Sequence, residues 1–113
     1  MPAVKTIGKI TIGNIDISNP EVTLVSPDND AWINYVDVTF SYIPNDTSLQ
    51  NCSLWGNWSD IGWHLNETNT SPISEQTNYF GPKIIPEGYH IWTVECYDSL
   101  GNSGSGPIYN LNI

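Results

Sequence analysis

Turn-forming residues divide this chain into short segments. Gly, Pro, Asn, Asp, Ser and Thr recur roughly every eight to twelve residues, and strong helix formers are scarce. Between two such turns, Val38, Phe40 and Tyr42 alternate with polar residues, a pattern typical of a strand with one buried face and one wet face. The spacing of turns and the alternation together predict an all-β sandwich or barrel.

Seven strands account for the chain after residue 19. We predict them at residues 21–25, 36–42, 49–55, 61–65, 79–85, 89–97 and 109–113, with a polar connection over 66–78. In the third strand Cys52 and Leu54 should point inward, and in the fourth Trp63 should belong to the core by the same alternation. In the sixth, Trp92 should point inward and Thr93 should lie on the opposite face. Gly81-Pro82 interrupts the fifth strand, which favours an edge position because proline cannot donate to a ladder.

The two cysteines, Cys52 and Cys96, fall on the third and sixth predicted strands. In an acidic chain rich in glycosylation triplets we expect them to form one disulfide, the alternative being two buried free thiols.

Every Asn between residues 45 and 71 begins an Asn-x-Ser/Thr triplet, and none of the other eight Asn residues does. Such an Asn accepts a glycan when the chain passes through an N-glycosylating secretory route. The triplets predict an extracellular or cell-surface glycoprotein, with N-linked glycans as covalent modifications at Asn45, Asn51, Asn57, Asn66 and Asn69. Met1 is not followed by an apolar signal-peptide core, so we expect a mature product, an excised domain or a cytosolic protein, and the triplets argue against the cytosolic alternative.

The charge of the chain excludes several kinds of partner. Twelve acidic residues face three lysines and no arginine, for a net charge of −9. Without a basic surface we expect no binding to nucleic acid and no docking on anionic lipid. No apolar run approaches the roughly 18 residues of a membrane span, so no membrane insertion is expected.

Residues 1–19 differ from the rest and are predicted to form an extended N-terminal arm. The segment 4–17 is rich in β-branched residues and free of proline, and it contains two of the three lysines, Lys5 and Lys9, for a net charge of +1 with Asp16. Residues 20–113 hold one lysine against eleven acids, a net of −10. An extended segment needs a ladder partner to satisfy its backbone groups, either in its own sheet or in a neighbour's.

Three segments of the chain resemble the immunoglobulin-like domains of archaeal and bacterial cell-surface proteins. They are Pro20–Pro27 at the first strand, Asn51–Leu54 at the third, and Glu87–Asp98 with the following Gly101-Asn102. The resemblance implies an immunoglobulin-like sandwich over residues 20–113. One departure from the antibody pattern is that the cysteines would lie on neighbouring strands of one sheet, rather than across the sandwich.

No residues suggest an enzyme, and we expect no cofactor. His64 and His90 lie on different predicted strands, and no Gly-x-Ser-x-Gly nucleophile motif is present. Asp28, Asn29 and Asp30 could offer oxygen ligands to Ca²⁺, but a turn with ordinary side-chain hydrogen bonds is favoured because a shell of six to eight oxygens is not visible.

Trp55 and Trp58 are the candidate surface aromatics. With Trp63 they fall within nine residues. They could stack on a sugar ring, but we favour a structural or protein-interface role.

These observations predict a structural subunit of an extracellular, glycosylated filament or surface layer. Copies would join head to tail by strand addition, the arm of one copy pairing with the sheet of the next. The predicted interface residues are Val4, Ile7, Ile10, Ile12, Ile15 and Ile17. The alternative is an immunoglobulin-like binding or adhesion module of a larger surface protein, with a carbohydrate or protein ligand.

Overall fold

A computed structural model describes residues 18–35 and 37–113. The predicted interface residues of the arm, from Val4 to Ile17, and Val36 of the second predicted strand lie outside the described residues. Two β-sheets account for the architecture of the described part, and their strands follow one another in chain order. They are β1 (Glu21–Ser26), β2 (Ala31–Trp32), β3 (Asp37–Asn45), β4 (Leu49–Ser59), β5 (Gly62–Asn69), β6 (Asn78–Ile84), β7 (Tyr89–Asp98), β8 (Ser103–Ser105) and β9 (Tyr109–Asn112).

The sheets form a sandwich. One has the strand order β1-β3-β6, and the other has the order β2-β9-β7-β4-β5, with β8 paired to β7. All pairings are antiparallel except that of β2 with β9. The all-β prediction is therefore confirmed at the level of two packed sheets, and β6 lies at a sheet edge as its Gly-Pro break predicted.

Inward side chains of both sheets make one aromatic core. Phe40 stacks on Trp58 at a centroid distance of 5.4 Å and meets Trp92 edge-on at 4.9 Å. Tyr42 stacks on Phe80 at 5.1 Å. Phe40, Tyr42 and Trp92 are fully buried, as the alternation in β3 and β7 predicted.

Cys52 and Cys96 are joined by a disulfide, as predicted. They face each other directly in the ladder between β4 and β7, so the bond links neighbouring strands of one sheet. Both residues are fully buried.

The prediction for the fourth strand is wrong in its inward face. Trp63 and Leu65 are 42% and 47% exposed, whereas Trp58, which was predicted to be a surface aromatic, packs against the core. Trp58 reaches the core by lying across Gly56, where a Cβ would come within 1.9 Å of its ring and displace it. His64 pairs with Gly56 and meets the edge of Trp58, so the alternate residues of β5 face outward.

Two smaller differences concern polar residues. Ser41 and Thr93 were predicted to lie on wet faces, but both are buried. The hydroxyl of Thr93 donates to the carbonyl oxygen of Gly106, in the segment that joins β8 to β9 alongside β7.

One flank of the sandwich is closed. The start of β1 lies so near β8 that a Cβ on Gly104 would sit 2.0 Å from the carbonyl oxygen of Pro20. Gly106 similarly approaches the side chain of Leu24. Only glycine permits contacts this close, so β1 and β8 pack tightly together on this flank.

Candidate functional site

The opposite flank of the sandwich carries β5 and β6, the end strands of the two sheets. Among the described residues, no strand pairs with the outer edge of either one. A salt bridge of 2.8 Å between Lys83 on β6 and Glu67 on β5 ties the two strands together. We call this flank, made by β5 and β6, the open flank.

Apolar side chains line the outward face of β5. Trp63 and Leu65 are substantially exposed, and Ile61, in the turn before the strand, is 77% exposed. Soluble proteins usually protect edge strands with charges, proline or short length. An eight-residue edge strand with neighbouring exposed apolar side chains is therefore a candidate interaction surface.

A groove of about 430 Å³ adjoins these side chains on the outer face of the larger sheet. Trp55 and Trp63 form one wall, stacked at a centroid distance of 6.2 Å with an interplanar angle of 18°. Ile108, which is 55% exposed, and Glu95 also line the groove. Of the two predicted surface aromatics, Trp55 is at this site and Trp58 is not.

The inner side of β5 is polar and tightly bonded. The amide nitrogen of Asn69 donates to the hydroxyl of Tyr42 at 3.1 Å, and its oxygen accepts from the backbone of Ser71 at 2.9 Å. Burial raises the pKa of Tyr42 above its usual value, the hydrogen bond from Asn69 lowers that pKa, and the nearby charge of Glu67 raises it. Tyr42 consequently stays neutral at ordinary pH and holds the side chain of Asn69 against the core.

The five triplet asparagines differ in accessibility. Asn45 is exposed at the end of β3, while Asn51 and Asn57 are half-buried on β4. The oxygen of Asn57 accepts from the backbone of Ile91 at 2.9 Å. The oxygen of Asn66 is buried and has no hydrogen-bond partner among the described residues.

We expect folded protein secreted from an N-glycosylating host to carry a glycan on Asn45 and none on Asn69. The Asn45 side chain is exposed, whereas attachment at Asn69 would modify the nitrogen that bonds Tyr42 inside the fold. Mass spectrometry of glycopeptides checks this. The Asn45→Gln variant, run as a control, should lose the corresponding mass, and a glycan found on Asn69 but not on Asn45 would contradict the prediction.

The candidate calcium ligands serve the turn before β2. Asn29 accepts from the backbone of Asn110 at 2.7 Å, and Asp30 accepts from the Asn110 side chain at 3.0 Å. No group of three or more His, Cys, Asp or Glu side chains within residues 18–35 and 37–113 is arranged to hold a metal ion. The side-chain oxygens of Asn29 and Asp30 thus accept hydrogen bonds that attach this turn to β9.

The histidines also make local contacts. Nε2 of His90 lies 2.7 Å from the carbonyl oxygen of Pro86, and Nδ1 of His64 lies 2.8 Å from that of Gly62. These bonds orient both rings within their own turns.

No family model matches the chain, and no curated protein or solved structure is detectably similar to it. Within the described residues, no helix has the length and apolar character needed to cross a membrane. The disulfide is consistent with an oxidising, extracellular environment.

Proposed function

We propose that this protein is a structural subunit of an extracellular, glycosylated filament or surface layer, built by strand addition between copies. The body would be an immunoglobulin-like sandwich, a class supported by its small sheet of three strands packed on a larger one. Residues 4–17 of each copy would supply the added strand. Their apolar residues Val4, Ile7, Ile10, Ile12, Ile15 and Ile17 would form the subunit interface.

The observation that carries this proposal is the open flank. Two sheets end there side by side, and β5 combines exposed apolar side chains with an outer edge that is unpaired among the described residues. An added strand would satisfy the edge through main-chain hydrogen bonds and cover the apolar side chains. A head-to-tail contact of this kind that does not close on itself produces a fibre.

Charge supports an intermolecular contact. The arm is basic, with Lys5 and Lys9, while residues 20–113 carry a net charge of −10 from one lysine and eleven acids. Opposite charges on the two surfaces favour encounter between arm and body, and the acidic bodies repel one another elsewhere.

Deleting residues 1–18 tests the proposal. We expect the truncated protein to retain the described strands and remain monomeric, while the full chain forms fibres or sheets visible by electron microscopy. The full-length variant Ile10→Asp/Ile12→Asp should also stay monomeric, and it covers the case in which the truncated chain fails to fold. Fibres formed by both variants would rule out assembly through the arm.

The second candidate function is that of a binding or adhesion module, and the Trp55–Trp63 groove favours it. Stacked, partly exposed indole rings with an adjacent carboxylate suit a sugar or a protein side chain. A module of this kind would be monomeric even with its arm intact, so the same micrographs separate the two functions.

A further inference from the structure

In the described part of the chain, four strands lie at the ends of the two sheets. They differ in how many backbone hydrogen bonds they can offer to an added strand. β2 has two residues, and β1 is interrupted by a register shift between Leu24 and Ser26. β6 contains Gly81, whose φ is 102°, and Pro82, which has no N–H to donate. β5 is also irregular, because its register against β4 shifts at Asn66 and again between Gly56 and Ser59, but it has eight residues and no proline and so offers the most backbone donors and acceptors among the four.

We propose that β5 is the acceptor edge, and that its occupant is residues 4–17 of a second copy of this chain. This inference rests on the proposed function and names the contact that would produce it. Fourteen extended residues, at about 3.3 Å each, are more than enough to run along all eight residues of β5. The arm and the acceptor edge therefore match in length.

The side chains of the arm suit the two faces of β5. In an extended segment, residues two apart share a face, so Ile10 and Ile12 would lie on one face and Lys9 and Thr11 on the other. At the His64 end of β5, away from the polar Asn69 end, the inner face leads to Trp58, where Ile10 and Ile12 would add apolar contact. The outer face leads over Trp63 and Leu65.

The outer face of β5 presents groups that a lysine side chain would contact. Trp63 exposes its ring, and Glu95 places a carboxylate in the groove behind it. Lys83 is the body's single cation among the lysines and arginines, and it is paired with Glu67. Lys9 of the incoming arm would lay its apolar stem along Leu65 and its ammonium over the Trp63 ring, a cation–π contact strengthened by the negative groove.

The glycosylation triplets on β5 agree with this assignment. The nitrogen of Asn69, to which a glycan would be attached, instead donates to Tyr42 inside the fold. An Asn69 without a sugar leaves this end of the β5 edge open to an added strand.

The full-length Leu65→Lys variant tests the acceptor edge, with Tyr79→Lys as its matched control. Leu65 and Tyr79 are exposed apolar residues on β5 and β6, 47% and 64% exposed, so both changes place one lysine on the open flank. We expect Leu65→Lys to raise the critical concentration for assembly roughly tenfold or more, because it removes an apolar contact and repels Lys9. Tyr79→Lys should change it by less than about twofold.

Photo-cross-linking identifies the occupant directly. Replacing Trp63 by p-benzoylphenylalanine in a mixture of isotope-labelled and unlabelled full chains should join position 63 to residues 4–17 of a different copy. If arm-dependent fibres persist in Leu65→Lys and the cross-links avoid the arm, β5 is not the acceptor, although the proposed function stands. If the full chain never assembles, both proposals fall.

Discussion

Replacing Cys52 and Cys96 together by alanine will lower the free energy of unfolding by about 4 kcal/mol. The two cysteines are 44 residues apart in sequence, and cross-linking them removes loop-closure entropy from the unfolded chain. The loop closed by the bond contains β5 and β6, the strands of the open flank. Without the bond these segments have more conformations available in the unfolded chain. Urea unfolding followed by tryptophan fluorescence measures the change.

A reductant supplies the matched control. In dithiothreitol the free energy of unfolding of the wild-type protein should fall close to that of the double variant, whereas that of the double variant should not change. The alanines also remove a little buried sulfur, so the variant is expected to stay slightly below the reduced wild type. A double variant as stable as the oxidised wild type would show that the disulfide contributes nothing to folding.

The sequence was sufficient for features that depend on local chemistry. Alternation in β3 and β7 identified Phe40, Tyr42 and Trp92 as core residues, and all three are fully buried. The acidic, triplet-rich composition predicted the disulfide, and the missing N–H of Pro82 predicted that β6 lies at an edge. In each case a property of the residues themselves, such as period, redox chemistry or a missing N–H, decides the outcome.

The sequence did not predict features that depend on contacts with another segment of the chain. Alternation shows that β5 has two faces, but it does not say which face meets the core. That choice is made by Trp58, which fills the core opposite Gly56 and leaves His64 on the inner side. β2 and β8 have only two and three residues, and they are strands solely because β9 and β7 lie beside them. The groove was missed for the same reason, since Ile108 and Trp63 are 45 positions apart.

The outward-facing apolar side chains of β5, which alternation placed in the core, belong to the open flank. A chain that turned Ile61, Trp63 and Leu65 inward would have an ordinary core and a polar edge. This chain instead fills the core with Trp58 and leaves those apolar side chains outside, beside a strand edge with which no other described strand pairs. The exposed apolar surface is a cost for an isolated molecule, and it becomes favourable when another chain covers it.

Replacing Phe40 by alanine will lower the free energy of unfolding by about 3–5 kcal/mol, the usual range for a buried phenylalanine. Phe40 is fully buried and contacts the rings of Trp58 and Trp92, so the substitution leaves a cavity between the sheets and removes two aromatic contacts. The matched control is Trp63→Ala, which also removes an aromatic ring from a stacked pair. Because Trp63 is 42% exposed, we expect that variant to lose about 1 kcal/mol or less.

The comparison of these two variants, measured by urea unfolding, decides which aromatic residues hold the sandwich together. If β5 presented its odd-numbered residues to the core, Trp63→Ala would be as destabilising as Phe40→Ala. A small loss at Trp63 with a large loss at Phe40 means that the Trp63 ring contributes little to folding. The same Trp63→Ala protein, folded but unable to seat an incoming lysine, should then assemble more weakly than the wild type.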